Sequence, residues 1–221
     1  MHIGNLRDCA RFPTLSNLPS FLSSQTSSPS LPPIRECFVA EILSIEQWTP
    51  AYHTRLLVED FNRTTATLGC SFPQDERGGL LVSSLQPGYA LLVLNPYKQM
   101  LKHGKIGIEI GDVSRVKVLP FNMQALIRLN NTLLEFTSEI GGKRCYGCRM
   151  RFDSKFFQVC EKCRFIFFCG IACQRESIAD GNHQLDCDIL RDPDLEALFK
   201  GKWDCLDGFV VSYLDDRSLL N

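Results

Sequence analysis

Long apolar runs and an excess of charge of one sign are both missing from this 221-residue sequence. A membrane-spanning helix needs roughly 20 consecutive apolar residues, and no run approaches that length, so a membrane-spanning protein is excluded. The 24 Lys and Arg residues are balanced by 25 Asp and Glu residues, which disfavours binding to nucleic acid or an anionic membrane through the whole surface. The sequence also has no apolar segment of a secretory signal, so we expect a cytoplasmic or nuclear protein without disulfides.

Recognisable catalytic motifs are missing as well. The sequence contains no G-x-S-x-G nucleophile motif, no phosphate-binding loop and no dinucleotide-binding glycine pattern. His53 and His103 have no carboxylate or thiol neighbour at a spacing that is useful for catalysis. We therefore predict that the protein is not an enzyme and has no catalytic residues.

The first 33 residues are predicted to form a disordered leader. Residues 16–33 are rich in serine and proline, carry no charge and show no hydrophobic period. A segment of this composition buries too little apolar surface to offset the entropy lost on ordering. Because residues 1–12 contain two arginines and few acids, a mitochondrial leader is the alternative to an untargeted tail.

Residues 34–120 are predicted to form a small antiparallel β domain, specifically an OB-like barrel. Short runs rich in Val, Ile, Leu, Phe and Thr are separated by Gly, Pro, Asn and Asp, as in successive strands. A short helix or turn is predicted at Glu76–Leu85, and a small helix between the third and fourth strands is typical of a five-stranded OB-like barrel. The predicted strands are Cys37–Ile45, Thr54–Val58, Thr64–Phe72, Tyr89–Leu94, Ile106–Ile110 and Val113–Leu119.

Two further helices are predicted outside the β domain. Apolar residues recur with a helical period over residues 121–137, so residues 121–142 are predicted to form a connecting helix and linker. After the cysteines, Asp192 followed by Pro193 is typical of a helix start, because Asp caps the first turn and Pro suits its first position. Residues 191–221 are therefore predicted to form an acidic extension with one helix.

Cysteine is what the sequence has in excess. Seven of its eleven cysteines fall between Cys145 and Cys187, in pairs separated by two or three residues, and His183 completes the last pair. A two-residue gap brings two thiolates to one side of a tight turn, and a three-residue gap places them on one face of a helix. Both arrangements suit a tetrahedral Zn²⁺ ion. The eight predicted ligands are Cys145, Cys148, Cys160, Cys163, Cys169, Cys173, His183 and Cys187.

Eight ligands of this kind predict two structural zinc ions. Two tetrahedral ions use all eight ligands, which leaves no open position for water or substrate. A disulfide network would need an oxidising compartment, which the sequence does not indicate. We therefore predict an α+β protein in which residues 143–190 form a small helical two-zinc domain. Spacing alone leaves open which four residues share an ion.

The cysteine cluster resembles a MYND-type zinc finger. The resemblance rests on the order C-x2-C-x11-C-x2-C-x5-C-x3-C-x9-H-x3-C, on Phe168 before Cys169 and on Gln174 after Cys173, and it covers residues 145–187. It implies an interleaved pairing, in which the first and third pairs hold one zinc ion and the second and fourth pairs hold the other. The implied sets are Cys145, Cys148, Cys169 and Cys173, and Cys160, Cys163, His183 and Cys187.

The same resemblance implies a protein-interaction module. MYND-type fingers bind partner proteins, often through proline-rich Pro-x-Leu-x-Pro peptides, and Gln174 and Ile178 are the expected partner-binding residues. Two departures affect the peptide site and not the zinc sites. The gap between Cys173 and His183 is longer than usual, and Ile178 stands where many members have tryptophan. The leader itself contains a segment that fits the peptide pattern, residues 29–33 (PSLPP).

The sequence thus predicts a non-enzymatic adaptor or regulator that binds partner proteins through its two-zinc finger. The alternative function is single-stranded nucleic-acid binding by the OB-like domain. Residues 34–120 contain nine basic and nine acidic residues, so net charge does not favour this alternative. The residues that would carry it cluster in one predicted loop, at Tyr97, Lys98, Lys102, His103 and Lys105.

Overall fold

The computed structural model divides the chain into two compact units. The described residues are 3–20, 36–47, 54–72, 76–101, 104–137, 143–152, 157–180, 182–203, 206 and 208–209. The β unit comprises Leu6–Leu126 and Leu206–Ser218, and the cysteine unit comprises Met1–Asn5, Ile127–Cys205 and Leu219–Asn221. Within the described ranges, every helix is too short or too polar to cross a membrane.

The β unit is built on a seven-stranded sheet with the order β5-β6-β3-β2-β1-β4-β7. Only residues 95–97 separate β4 from β5, so two strands that lie far apart in this order follow each other directly in the chain. The strands are β1 (Cys37–Gln47), β2 (Thr54–Asp60), β3 (Thr65–Cys70), β4 (Ala90–Leu94), β5 (Lys98–Met100), β6 (Ile106–Ile110) and β7 (Val116–Leu119).

The connectivity of the sheet resembles that of an OB fold. The predicted helix, α1 (Glu76–Ser84), lies between β3 and β4 in the chain, and β1 pairs with both β2 and β4. The prediction of a purely antiparallel domain is wrong at one pair, because β3 and β6 are parallel. Parallel neighbours need a long crossover connection, and α1, β4 and β5 supply it. The fold is therefore α+β with a sheet that is mainly antiparallel.

A core cluster of aliphatic and aromatic side chains fills the β unit. Strand β2 alternates, with Leu56 and Val58 buried in the cluster and Leu57 partly exposed between them. Phe38 and Ile42 of β1 enter the same cluster and are both completely buried. This period of two explains why composition and alternation locate the strands from sequence.

Two elements of the β unit differ from the sequence prediction. Strand β5 lies in a segment that was predicted to be a loop, because three residues of sequence Lys-Gln-Met show no apolar alternation. The predicted strand Val113–Leu119 begins instead as a 3₁₀ turn at Val113–Arg115, since the Asp112 side chain accepts a hydrogen bond from the Ser114 N–H. Only its second half, β7, pairs in the sheet.

Part of the predicted leader is packed. Phe12 is only 1% exposed, and the backbone N–H of Leu15 donates to the Asp60 carboxylate at 2.7 Å. The structure therefore differs from the prediction of a disordered leader over residues 3–20, where scattered apolar side chains are buried without forming a regular period. Residues 21–33, including the PSLPP segment, lie outside the described residues.

The cysteine unit combines short hairpins with helices. The division between the two units falls within α2 (Met123–Thr137). Asp192 accepts hydrogen bonds from the backbone N–H groups of Asp194 and Leu195 at 2.9 and 3.2 Å, which confirms the predicted helix start. The remaining elements are β8 (Lys143–Arg144), β9 (Arg151–Phe152), β10 (Gln158–Val159), β11 (Phe167–Phe168), α3 (Ile171–Ala179), α4 (Asn182–Leu190) and α5 (Pro193–Phe199).

Candidate metal centre

Two tight turns present four of the predicted ligands, and both turns have the same backbone geometry. In the turn between β8 and β9, the Arg149 N–H donates to the Cys145 carbonyl at 3.0 Å, and Arg149 has a φ of 64°. In the turn between β10 and β11, the Arg164 N–H donates to the Cys160 carbonyl at 2.9 Å, with φ at 58°. A left-handed residue reverses the chain after each pair of cysteines, so both thiols of a pair lie on one side of the turn.

The other four predicted ligands lie on two helices or just before one of them. Cys169 follows β11 directly, and Cys173 lies in the first turn of α3. His183 and Cys187 lie four residues apart on α4, so their side chains share one face of that helix. Gly147, in the turn between β8 and β9, lies close to α3. A Cβ atom at this position would stand only 2.9 Å from the Cys173 carbonyl oxygen.

The structure brings the eight side chains together in two groups of four. In each group, the candidate ligand atoms all lie within 4.8 Å of one another. We call the group with four thiols the first tetrad and the group with histidine the second tetrad. The first tetrad is Cys145, Cys148, Cys169 and Cys173, and the second is Cys160, Cys163, His183 and Cys187. These are the two sets that the interleaved pairing implies.

The distances between sulfur atoms are those of a metal site. The Sγ atoms of Cys148 and Cys169 are 3.8 Å apart in the first tetrad, as are those of Cys160 and Cys187 in the second. Four sulfur ligands about 2.3 Å from a tetrahedral zinc ion are about 3.8 Å from each other. A disulfide would bring two sulfurs to about 2.0 Å, and the described cysteines are all free.

His183 provides an independent test of whether a metal ion fits. Its side chain is 1% exposed, and neither ring nitrogen has a hydrogen-bond partner. A buried imidazole without partners is costly, and coordination of one nitrogen to a metal ion would offset part of that cost. The two tetrads are therefore positioned as they would be for two metal ions.

The Cys163 and Cys187 thiols of the second tetrad shift each other's pKa. The pKa of Cys163 is lowered to about 4, mainly by its hydrogen bond with Cys187; burial opposes this shift, and the neighbouring His183 side chain adds to it. The same contact with Cys163 raises the pKa of Cys187, and burial raises it further. A divalent cation bound between them would favour the thiolate form of both.

Aromatic rings and a buried carboxylate join residues next to the first tetrad to helix α4. The His183 ring packs 5.4 Å from the Tyr146 ring and 5.2 Å from the Phe168 ring, measured between centroids. The Tyr146 hydroxyl donates to Asp186 at 2.7 Å, and Arg128 donates to the other oxygen of that carboxylate at 3.3 Å. Burial and the hydrogen bond to Asp186 raise the pKa of Tyr146, so its hydroxyl keeps the proton that it donates.

Sequence analysis did not find Tyr146, Asp186 or Arg128. The available signal was adjacency, since Tyr146 follows Cys145 and Asp186 precedes Cys187. Nothing in the spacing indicates that two residues 40 positions apart form a hydrogen bond. That contact forms because the fold packs α4 against the turn between β8 and β9.

A groove of about 580 Å³ is lined in part by Cys160, His183 and Cys187 of the second tetrad, and we call it the α3 groove. Both expected partner-binding residues, Gln174 and Ile178, line it. Val159, Ile171 and Ile178 line it with side chains that are 42%, 56% and 44% exposed. The groove therefore offers aliphatic surface to solvent next to polar side chains.

The residues of the predicted nucleic-acid loop do not form a single loop. Lys98 begins β5, and its Nζ donates to the Ser16 carbonyl at 3.1 Å. Lys105 is exposed in the segment before β6, whereas Lys102 and His103 lie outside the described residues. Nucleic-acid binding through these lysines stays a prediction.

Comparison with known proteins gives distant structural similarity alone. No protein-family model matches the sequence, and no curated protein does. The chain is similar to Schizosaccharomyces pombe Pot1pC bound to single-stranded DNA, at 14% identity and a TM-score of 0.31 over 48% of this chain and 94% of that chain.

Two further solved structures show the same level of similarity. The S. pombe Stn1–Ten1 complex matches at 14% identity and a TM-score of 0.29, over 43% of this chain and 75% of that chain. Fission yeast Pot1 with single-stranded DNA matches at 14% identity and a TM-score of 0.30, over 48% of this chain and 43% of that chain.

Proposed function

We propose that the protein is a non-enzymatic adaptor whose cysteine unit is a MYND-type zinc finger that binds a partner protein in the α3 groove. The observation that carries this proposal is the exposure of Val159, Ile171 and Ile178 along one groove beside the second tetrad. Clustered exposed aliphatic side chains in a groove support a role in docking. Zinc is the proposed ion, because four thiolates, or three with one histidine, are the donor sets of closed structural zinc sites.

The proposed ions hold the walls of the groove in place and take no part in a reaction. One wall is α3, which begins between two residues of the first tetrad, Cys169 and Cys173. Another part of the lining includes Val159, which directly precedes Cys160 of the second tetrad. Each of these two parts is thus anchored to a different ion, and removal of either ion is expected to deform the groove.

The proposed ligand is an extended, proline-rich peptide. Such a peptide is already close to the polyproline II conformation and loses little entropy on binding. Its backbone carbonyls have no internal partners, and Gln158 and Gln174 line the groove with side-chain amides that can donate to them. Ile178 supplies apolar contact but not the flat aromatic face on which a proline ring stacks.

We also propose that the β unit is a closed OB-like barrel. The support is the close succession of β4 and β5, which pair with β1 and β6 respectively. A link of three residues between strands this far apart in the order requires the sheet to curl towards a barrel, which reduces its free edges. The barrel is proposed to act as a scaffold for the adaptor.

Peptide binding is tested by fluorescence anisotropy with a labelled peptide of residues 25–36. The zinc-loaded full chain carries Leu31→Ala, so that its own copy of the segment does not compete. We expect saturable binding in the micromolar range that is lost when zinc is chelated. Absence of binding at high micromolar concentrations would contradict the proposed ligand class.

Replacing Ile178 with aspartate is expected to weaken peptide binding at least about tenfold, because a charge then lines the apolar side of the groove. The matched control is Leu185→Asp on α4. Leu185 is 50% exposed and does not line the groove, so its replacement should leave the affinity unchanged. Equal affinities of the two variants would place the binding site elsewhere.

A further inference from the structure

We propose that Tyr146 and Asp186 are positioning residues that couple the two metal sites, so that both ions bind and leave together. This inference rests on the proposed zinc ions but not on peptide binding. Its basis is a set of contacts that join residues next to the first tetrad to the helix that carries two ligands of the second.

The first contact is the packing around His183. This second-tetrad imidazole packs edge-on against the rings of Tyr146 and Phe168, at interplanar angles of 60° and 79°, and those two rings also contact each other, with centroids 6.1 Å apart. Tyr146 directly follows Cys145 and Phe168 directly precedes Cys169, and both cysteines belong to the first tetrad. A backbone shift that accompanies loss of the first ion would therefore move both rings that hold the imidazole.

The second contact is the hydrogen bond between Tyr146 and Asp186. Asp186 lies on α4 between His183 and Cys187 and is 1% exposed. Its two carboxylate oxygens accept from Tyr146 and from Arg128 of α2. The bond thus fixes the rotation of α4 relative to the turn between β8 and β9. That rotation sets the direction of the His183 and Cys187 side chains, the two ligands on α4.

The Tyr146 ring is held on its other sides as well. The Phe136 ring lies 5.4 Å away between centroids, and the Arg149 guanidinium lies 5.2 Å from the Tyr146 ring centre. A ring with fixed neighbours transmits a displacement to His183 instead of absorbing it by rotating. Residues that orient ligands without binding the metal change metal affinity by about 10–100-fold when they are replaced.

The test is a chelator titration of the zinc-loaded full chain, with zinc release followed by a colorimetric indicator. We expect the wild-type chain to release both ions in one transition. Tyr146→Phe, which removes only the hydroxyl, should release them in two transitions, and the second-tetrad ion should leave at a chelator concentration about 10–100-fold lower. Substitution with Co²⁺ assigns each transition, because its absorption differs between four-thiolate and three-thiolate sites.

Three further variants separate coupling from general loss of stability. Leu195→Ala removes a buried side chain of α5, which is 1% exposed. This variant should lower the melting temperature but keep a single transition of zinc release. Asp186→Asn keeps an acceptor for Tyr146 and should keep a single transition, whereas Asp186→Ala should split it.

A single transition in both Tyr146→Phe and Asp186→Ala, or two transitions in the wild-type chain, would overturn the coupling alone. A wild-type chain that binds no zinc would overturn the coupling together with the proposed zinc sites.

Discussion

Replacing Cys163 with serine is expected to release both zinc ions and to unfold the cysteine unit. Cys163 is 2% exposed in the second tetrad, and a serine hydroxyl does not replace a thiolate as a zinc ligand. Cys163 lies in the turn between β10 and β11, and this turn lies between Cys148 and Cys169 in the chain. Unfolding of this turn therefore also frees the segment that joins the two halves of the first tetrad.

The expected effect of this substitution is large compared with the stability of the unit. A structural zinc site contributes about 10–16 kcal/mol of apparent folding free energy, whereas a whole domain is stable by only about 5–15 kcal/mol. Elemental analysis should show a fall from two zinc ions per chain to less than one. Near-ultraviolet circular dichroism should show loss of the fixed environment of Tyr146.

Cys9→Ser is the matched control, because it makes the same chemical change at an exposed cysteine outside both tetrads. It should keep both ions and the wild-type melting temperature. A Cys163→Ser variant that behaved in the same way would remove Cys163 from the set of ligands.

Replacing Gly107 with alanine is expected to lower the free energy of unfolding of the β unit by about 3 kcal/mol. Gly107 lies inside β6, and a Cβ atom there would overlap the backbone carbonyl oxygen of Thr67 on β3 and the side chain of Leu101. The Leu101 side chain is 1% exposed, so rotating it away from the new methyl group would expose it to solvent. The carbonyl moves only if the parallel pairing of β3 with β6 opens. Urea denaturation of the zinc-loaded chain, followed by far-ultraviolet circular dichroism, measures the change.

Gly111→Ala provides the comparison for this prediction. Gly111 follows β6 directly, and no atom lies within 4 Å of a Cβ built at this position. Its replacement should therefore change the free energy of unfolding by less than about 0.5 kcal/mol. Equal destabilisation by both variants would mean that close packing at Gly107 is not the cause.

The metal tetrads were the most predictable part of the molecule, and the reason is local geometry. Pairs at two-residue spacing need only a tight turn, and His183 and Cys187 need only one helical turn, so spacing encodes each pair. The assignment of pairs to ions is different, because it depends on how β8–β9 and β10–β11 lie relative to α3 and α4. That assignment came from resemblance to a family and not from the spacing.

The strands of the β unit were also predictable in most cases, because one face of each is buried and the alternation appears in the sequence. Strand β5 and the parallel pairing of β3 with β6 were not predictable, for two reasons. Three residues are too few to show a period, and pairing between strands that are about 40 residues apart leaves no local trace. Residues 3–20 were missed because irregular backbone buries single side chains such as Phe12 without any period.

The two cysteines inside the sheet have a practical consequence for anyone who studies metal occupancy. Cys37 and Cys70 are at most 1% exposed, and burial raises the pKa of both thiols, that of Cys70 to about 12. Alkylating reagents attack thiolates that they can reach, so both cysteines stay unmodified while the β unit is folded. Mass spectrometry after brief alkylation therefore has an internal reference in the chain itself. Alkylation of Cys37 and Cys70 reports unfolding of the sheet. Alkylation of tetrad cysteines while Cys37 and Cys70 stay unmodified reports loss of metal alone.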